Sequence, residues 1–227
     1  MKKLTIAFIS VIFLAVSAQA DSVGVRISQA NMDASGSHTT NSTTAGALGG
    51  GGAALSSSGN ADFMVASIFA EKDISLGAIN MSIGLDVIPF TTEVEKLGGS
   101  DGFDATIEVG NLITAYIQPT FDLGDMSVFA KVGYSQADLD ITNISRQATN
   151  TNAGTASTDG NTGKDLEGMM YGAGIQKAVS HMGGDGFVRL EATVTDFDEI
   201  THTNSNGKVV KADAEMTMIS LSIGKTF

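Results

Sequence analysis

Apolar residues recur at every second position along much of this chain, and this period constrains the fold more than any other feature. Side chains of a β-strand point alternately to its two faces, so a period of two predicts a strand with one aliphatic face and one polar face. The clearest segment has aliphatic side chains at Ile79, Met81, Ile83, Leu85 and Val87, separated by Asn80, Ser82, Gly84 and Asp86.

The same alternation occurs in seven further segments, at 23–28, 64–71, 107–118, 128–135, 171–179, 188–195 and 219–224. The sequence therefore predicts eight antiparallel strands. Short connections near 73–77, 122–125 and 180–185 alternate with long ones near 31–60, 88–104, 138–167 and 197–213. Transmembrane barrels combine short periplasmic turns with long external loops in this way. A soluble β-sandwich is the alternative, but it has no reason to place every long loop at one end.

The first twenty residues predict export. Lys2 and Lys3 precede an apolar run over 4–16, and 18–20 offers small residues at a cleavage site. The run is shorter than the roughly 20 apolar residues of a membrane-spanning helix, so we interpret 1–20 as a signal peptide and not as a retained anchor. The expected mature domain, 21–227, is a closed eight-stranded meander barrel in a bacterial outer membrane, with its aliphatic faces toward lipid.

Several polar strand faces carry charge, and in this orientation they line the barrel interior. Eight strands enclose a space that side chains fill, and buried charge is tolerated only when it is paired. We expect an interior ionic network formed by Arg26, Lys131 and Arg189 with Glu71, Glu108 and Glu191. Asp86 is a further charge on such a face. A gated pore plugged by this network is the alternative to a permanently filled interior.

The C-terminal segment carries a more specific signal. Ile219, Leu221 and Ile223 alternate before the terminal Phe227, and this pattern resembles the signature that the outer-membrane assembly machinery reads. Segments 186–191 and 129–134 are similar to the seventh and fifth strands of the small eight-stranded superfamily that includes the OmpA transmembrane domain, OmpX and the opacity proteins. The resemblance implies a closed antiparallel barrel in the outer membrane and the assembly machinery as a partner.

Charge and motifs exclude several functions. The formal charge is −12, and loss of Lys2 and Lys3 makes it −14, so no basic stripe is available for nucleic acid. The glycine run 49–52 lacks the GK[ST] of a phosphate loop. His38, His181 and His202 lie in no catalytic or metal-ligand spacing, and we expect no enzyme activity, metal or cofactor.

The expected role is therefore structural or interactive. Four acidic and polar external loops would be presented at the cell surface, with outer-membrane lipids and lipopolysaccharide as neighbours and an external ligand that the sequence does not identify. A small pore and a lipid-modifying enzyme, with His202, Glu199 and Ser205 as a conceivable set, are the alternatives.

Overall fold

The computed structural model describes residues 20–39, 55–76, 79–98, 103–146, 162–180, 185–203 and 209–227. The signal peptide predicted over 1–20 therefore lies almost wholly outside the described residues. Among those residues, no helix is long and apolar enough to cross a membrane. They form nine strands: β1 (Ser22–Thr39), β2 (Leu55–Leu76), β3 (Ile79–Ile88), β4 (Thr92–Gly98), β5 (Phe103–Leu123), β6 (Met126–Arg146), β7 (Thr162–Val179), β8 (Gly186–Thr203) and β9 (Val209–Thr226).

The strands close into one antiparallel barrel with the order β3-β2-β1-β9-β8-β7-β6-β5-β4 and an additional β3–β5 pairing. Both β3 and β4 pair with the same edge of β5, one after the other. They are two halves of a single barrel strand, interrupted at 89–91, where Pro89 cannot donate a ladder hydrogen bond. The predicted eight-stranded meander barrel is confirmed.

The stagger of the barrel follows from its register. Directly paired residues lead from Asp33 on β1 through β9, β8, β7, β6, β5, β3 and β2, and they return to β1 at Val23, ten residues away. With eight strands at ordinary strand spacings, this stagger corresponds to a tilt of about 40° and a radius of about 8 Å. Each residue then rises about 2.5 Å along the barrel axis, so about ten residues cross a 25 Å apolar band.

The strands are much longer than a membrane crossing needs. β1 has 18 residues and β2 has 22, which rise about 45 to 55 Å at this tilt. The prediction of long loops over 31–60, 88–104, 138–167 and 197–213 was therefore wrong in extent, since every described residue of these segments outside 89–91 continues the ladder. Aliphatic alternation stops where a strand leaves the lipid, but backbone hydrogen bonding does not stop there.

The two ends of the barrel differ. At the short-turn end, β5 and β6 are joined by Gly124 and Asp125 alone, and Gly124 has a φ of 76°. Glycine adopts this conformation without steric cost, and a tight hairpin turn with glycine first requires it. The opposite end, where β1 leads to β2 and β8 leads to β9, is the long-loop end.

The apolar face of each strand changes sides along the barrel. Toward the short-turn end aliphatic side chains point outward, as Val25 and Ile27 do on β1, where they are 53% and 58% exposed. Toward the long-loop end the apolar positions shift by one residue and point inward, as Ala30 and Met32 do. The same shift separates Ile219 from Met218 on β9 and Met64 from Phe63 on β2. The outer surface of the barrel is thus apolar toward the short-turn end, as in a membrane protein. Toward the long-loop end the apolar side chains point into the barrel, as in a water-soluble protein.

Candidate functional site in the barrel interior

Six charged side chains meet inside the outward-aliphatic half of the barrel. Arg189 and Glu71 form a bidentate pair, in which Nη1 donates to Oε1 at 2.7 Å and Nη2 donates to Oε2 at 2.9 Å. Lys131 Nζ donates to Glu191 Oε2 at 2.5 Å, and Arg26 Nη1 donates to Asp86 Oδ2. All six residues are buried. Three cations thus face three carboxylates, so the network carries no net charge.

Glu71 is the most heavily bonded carboxylate of this network. Besides Arg189, it accepts hydrogen bonds from the Tyr116 hydroxyl at 2.7 Å and from Ser22 Oγ at 3.3 Å. Gln176 Oε1 in turn accepts from Arg189 Nε and Nη2 at 3.0 and 2.8 Å. This geometry satisfies the donors and acceptors that a buried ion pair needs in order to offset its desolvation.

Aromatic rings and glycines pack the same space. Each buried ring lies over a glycine that is its direct cross-strand partner, as Phe69 lies over Gly24 and Tyr116 over Gly84. A Cβ atom at Gly24 would come within 2.4 Å of the Phe69 ring, so only glycine leaves room for it. Phe129 with Gly174 and Phe187 with Gly224 repeat the arrangement. These rings enclose Arg189, whose guanidinium lies 4.8 to 5.4 Å from three ring centroids, those of Phe187, Phe129 and Phe69.

The structure brings together five of the six residues expected in the network: Arg26, Glu71, Lys131, Arg189 and Glu191. Glu108 does not join them. Between Gly110 and Ile113, β5 has one residue more than its partner β6, and Asn111 adopts a φ of 50°. The extra residue reverses the alternation of faces between the two parts of β5 that it separates. Val109 therefore points inward, and Glu108 lies half-buried on the outer side, opposite Asp140.

Asp86 takes the place that Glu108 was expected to fill. Its position on the polar face of the 79–87 segment signalled an inward orientation, and β3 has no bulge that would change it. Tyr116 was the contact that sequence reasoning missed. It lies on the inward face of β5, and Lys131 Nζ sits 4.2 Å from its ring centroid.

An apolar layer closes the interior beyond the network. It fills the barrel toward the long-loop end and comprises Ala30, Met32, Val65, Ile88, Val109, Leu112, Ala137, Leu166, Phe197, Met216 and Met218. Where the layer meets the network, the remaining cavity has a volume of about 20 Å³. Within the part of the chain that the structure describes, the charged network and the apolar layer thus occupy two successive levels of the barrel interior.

The outer surface around the network is a lipid-facing band. Its exposed apolar side chains occur on every strand of this half: Val25, Ile27, Met64, Ile68, Ile83, Ile117, Val128, Tyr134, Tyr171, Ile175, Val188, Leu190, Val194, Ile219, Leu221 and Ile223. An apolar surface of this extent around a polar interior is the inverse of a soluble barrel. Closed barrels with such a band are the outer-membrane architecture of bacteria, and the protein is an outer-membrane barrel.

The other candidate residues have no assigned chemistry in the structure. Ile219, Leu221 and Ile223 face lipid and Phe227 is exposed, while their role as an assembly signal stays a prediction. The side chains of His38, His181 and His202 lie outside those described. Among the side chains that are described, no group of three or more His, Cys, Asp or Glu is arranged to hold a metal ion.

No family model matches the sequence, and no curated protein matches it. Several solved structures are similar in shape. Neisserial surface protein A is 10% identical, with a TM-score of 0.44 over 88% of this chain and 97% of its own. The attachment invasion locus protein Ail of Yersinia pestis is 9% identical, with a TM-score of 0.35 over 89% and 99%. The outer membrane protease OmpT of Escherichia coli is 8% identical, with a TM-score of 0.38 over 91% and 96%.

Proposed function

We propose that the protein is a non-conducting outer-membrane barrel with a structural or surface-interaction role, and that it is not an enzyme. The observation that carries the proposal is the filled interior. The ionic network occupies the barrel at the level of the lipid-facing band, and the apolar layer seals it on the side of the long-loop end. A barrel filled in this way holds its strands rigidly and leaves its outer surface and loops as the parts that meet other molecules.

The wall beyond the lipid-facing band supplies the interaction surface in this proposal. On β1, β8 and β9 the outward positions that follow the band carry Asp33, Asp196 and Glu215, which are exposed and directly paired across the strands. With short-turn connections on the periplasmic side, this acidic wall stands at and above the outer leaflet. It would favour cations and basic partners, and the band below it would contact lipid and lipopolysaccharide acyl chains.

Conductance across a planar bilayer tests the proposal. The refolded protein should give a flat current trace after insertion, because the two layers leave no water-filled path. Insertion into the bilayer is verified separately. The unheated protein should migrate fast in a denaturing gel, and the lipid-facing part of the barrel should be protected from protease added to the vesicles. Reproducible single-channel steps that depend on this protein would refute occlusion and would favour the small pore.

The enzyme alternative has its own measurement. Purified protein in detergent is incubated with lipopolysaccharide and with phospholipid, and the lipids are examined by mass spectrometry. We expect an unchanged lipid profile. A new acylation or hydrolysis product that grows with protein concentration and disappears after heat denaturation would contradict the non-enzymatic role.

A further inference from the structure

A small cavity lies inside the barrel, where the ionic network meets the apolar layer, and its volume is about 20 Å³. Arg26 and Glu191 line the cavity from the side of the network, and Thr193 lines it from the wall. Ile88, Met170 and Met218 close it on the side of the long-loop end. The cavity is therefore polar on one side and apolar on the other.

Three polar atoms of the lining residues have no hydrogen-bond partner among the described residues. They are Arg26 Nη2, Glu191 Oε1 and Thr193 Oγ1. The three residues are only 6%, 1% and 3% exposed, so bulk water does not serve these atoms. Arg26 Nη1 lies 3.5 Å from Glu191 Oε1, which the structure records as an ion pair but not as a hydrogen bond. The three residues that carry these atoms all line the same cavity. Buried polar groups are paired in nearly all folded proteins, so three such atoms on the residues of one cavity point to a shared partner.

The chemistry of the three atoms identifies the partner. The Arg26 nitrogen donates, the Glu191 oxygen accepts, and the Thr193 hydroxyl does either. An anion would be repelled by Glu191 and a cation by Arg26, and the network is already neutral. The partner must therefore be neutral and must both donate and accept. A cavity needs roughly 10–15 Å³ to hold a water molecule, so this one has room for a single water.

We propose that this cavity binds one ordered water molecule, which bridges Arg26 Nη2, Glu191 Oε1 and Thr193 Oγ1. The apolar side chains on the opposite side of the cavity offer no strong hydrogen-bonding group, so the water is isolated and does not begin a chain toward the long-loop end. It completes the ionic network and joins β1 to β8 without opening a path for protons or ions.

A crystal structure of the full mature protein, at a resolution that places ordered waters, tests the proposal. One electron-density peak is expected within hydrogen-bonding distance of all three atoms. Thr193→Val removes the hydroxyl and keeps the shape, so the peak should be lost or fall sharply in occupancy, whereas Thr193→Ser should keep it. Thr114→Val is the matched control, because Thr114 also lines the cavity but its hydroxyl already pairs with Ser135 Oγ at 2.8 Å. The peak should survive in this variant.

Crystals soaked in bromide and in rubidium separate water from ions. Anomalous signal in the cavity from either soak would overturn the proposal in favour of an ion site. The proposal would also be overturned if the three atoms paired directly with one another and the cavity held no density peak. A continuous row of waters through the apolar layer would refute the claim that the water in the cavity is isolated. If Thr193→Val does not fold, the wild-type map and the two soaks still decide the question. Bilayer conductance is a separate measurement, so failure of the water site and failure of occlusion are distinguishable.

Discussion

Replacement of Glu71 by Gln tests whether the interior network stabilises the barrel through charge pairing. The substitution keeps the volume of the side chain and one oxygen that can accept from Tyr116 or Ser22. It removes the negative charge, and it places an amide donor against one of the two Arg189 nitrogens that donate to Glu71. Arg189 is 1% exposed, so water does not replace the lost partner, and a buried cation without its counter-ion remains.

The expected cost follows from that environment. Breaking a buried ion pair by removing one partner costs about 3–5 kcal/mol. Arg189 keeps its hydrogen bonds to Gln176 and its three aromatic neighbours, which places the expected loss near the lower limit, at about 3 kcal/mol. With a urea dependence of about 2 kcal/mol per molar, the unfolding midpoint should fall by about 1.5 M.

The assay is equilibrium unfolding in urea in phospholipid vesicles, followed by heat-modifiable gel migration and by far-ultraviolet circular dichroism. Tryptophan fluorescence is not an option, because the chain has no Trp. Glu199→Gln is the matched control. Glu199 also accepts from a lysine at 2.7 Å, but the side chains of this pair are 42% and 49% exposed, and no measurable shift of the midpoint is expected.

A double variant sharpens the test. Glu71→Gln combined with Arg189→Met removes both charges and leaves no unpaired cation. It should be more stable than Glu71→Gln alone, because replacing a buried pair by neutral side chains often costs little. The reasoning is refuted if Glu71→Gln moves the midpoint by less than about 0.3 M, or if the double variant is less stable than the single one.

Three further predictions concern other parts of the barrel. Gly84→Ala places a Cβ about 2.3 Å from the Tyr116 ring, and it should lower the free energy of unfolding by about 1–3 kcal/mol in the same urea assay. Gly36→Ala is the control, because the nearest atom to its Cβ is 3.5 Å away, and it should not lower stability. Equal unfolding midpoints for the two variants would contradict this packing. The pKa of Glu199 lies below its usual value because Lys211 donates a hydrogen bond to its carboxylate. Lys211→Met should therefore raise the pKa of Glu199, as measured by NMR titration. An unchanged pKa would refute the pairing. Any stability from that pair is present above the unfolded pKa and is lost as the pH falls through the lowered folded pKa. The unheated protein should migrate faster than the boiled protein in a denaturing gel, and identical mobility would contradict a closed barrel.

Much of the fold was predictable because its signals are local. The two-residue period of segments such as 79–87 and the turn residues between segments depend only on neighbours in the chain, and they predict the strand number, the meander order and the side chains of each aliphatic face. The same period places Arg26, Lys131 and Arg189 on the polar faces of their strands, and the export signal together with the asymmetry of the connections predicts that these faces point inward. The shift of apolar residues by one position, as from Ile27 to Ala30, is a second local signal, and it marks where a strand leaves the lipid.

The partners of the charged residues depended on the tertiary structure. Arg189 reaches Glu71 across the barrel interior, 118 residues away in the chain, and this meeting depends on the ten-residue stagger and not on either segment alone. The bulge at 110–113 removed Glu108 from the network. The alternation of this segment is broken at Asn111 and Leu112, but only the pairing with β6 shows that the break reverses the face on which Glu108 lies. The glycine and aromatic pairs likewise exist only in register, since Gly84 and Tyr116 are 32 residues apart in the chain yet directly opposite in the sheet.

The sequence by itself thus determined that the strands have one aliphatic and one charged face, because alternation is a property of each strand. The export signal and the asymmetry of the connections then assigned the aliphatic face to lipid and the charged face to the barrel interior. Only the tertiary structure decided that a charged layer and an apolar layer occupy the interior, that the ladder continues beyond the lipid-facing band, and that Arg26, Glu191 and Thr193 line one small cavity. Those features arise from the tilt and register of all eight barrel strands together, which no single segment encodes.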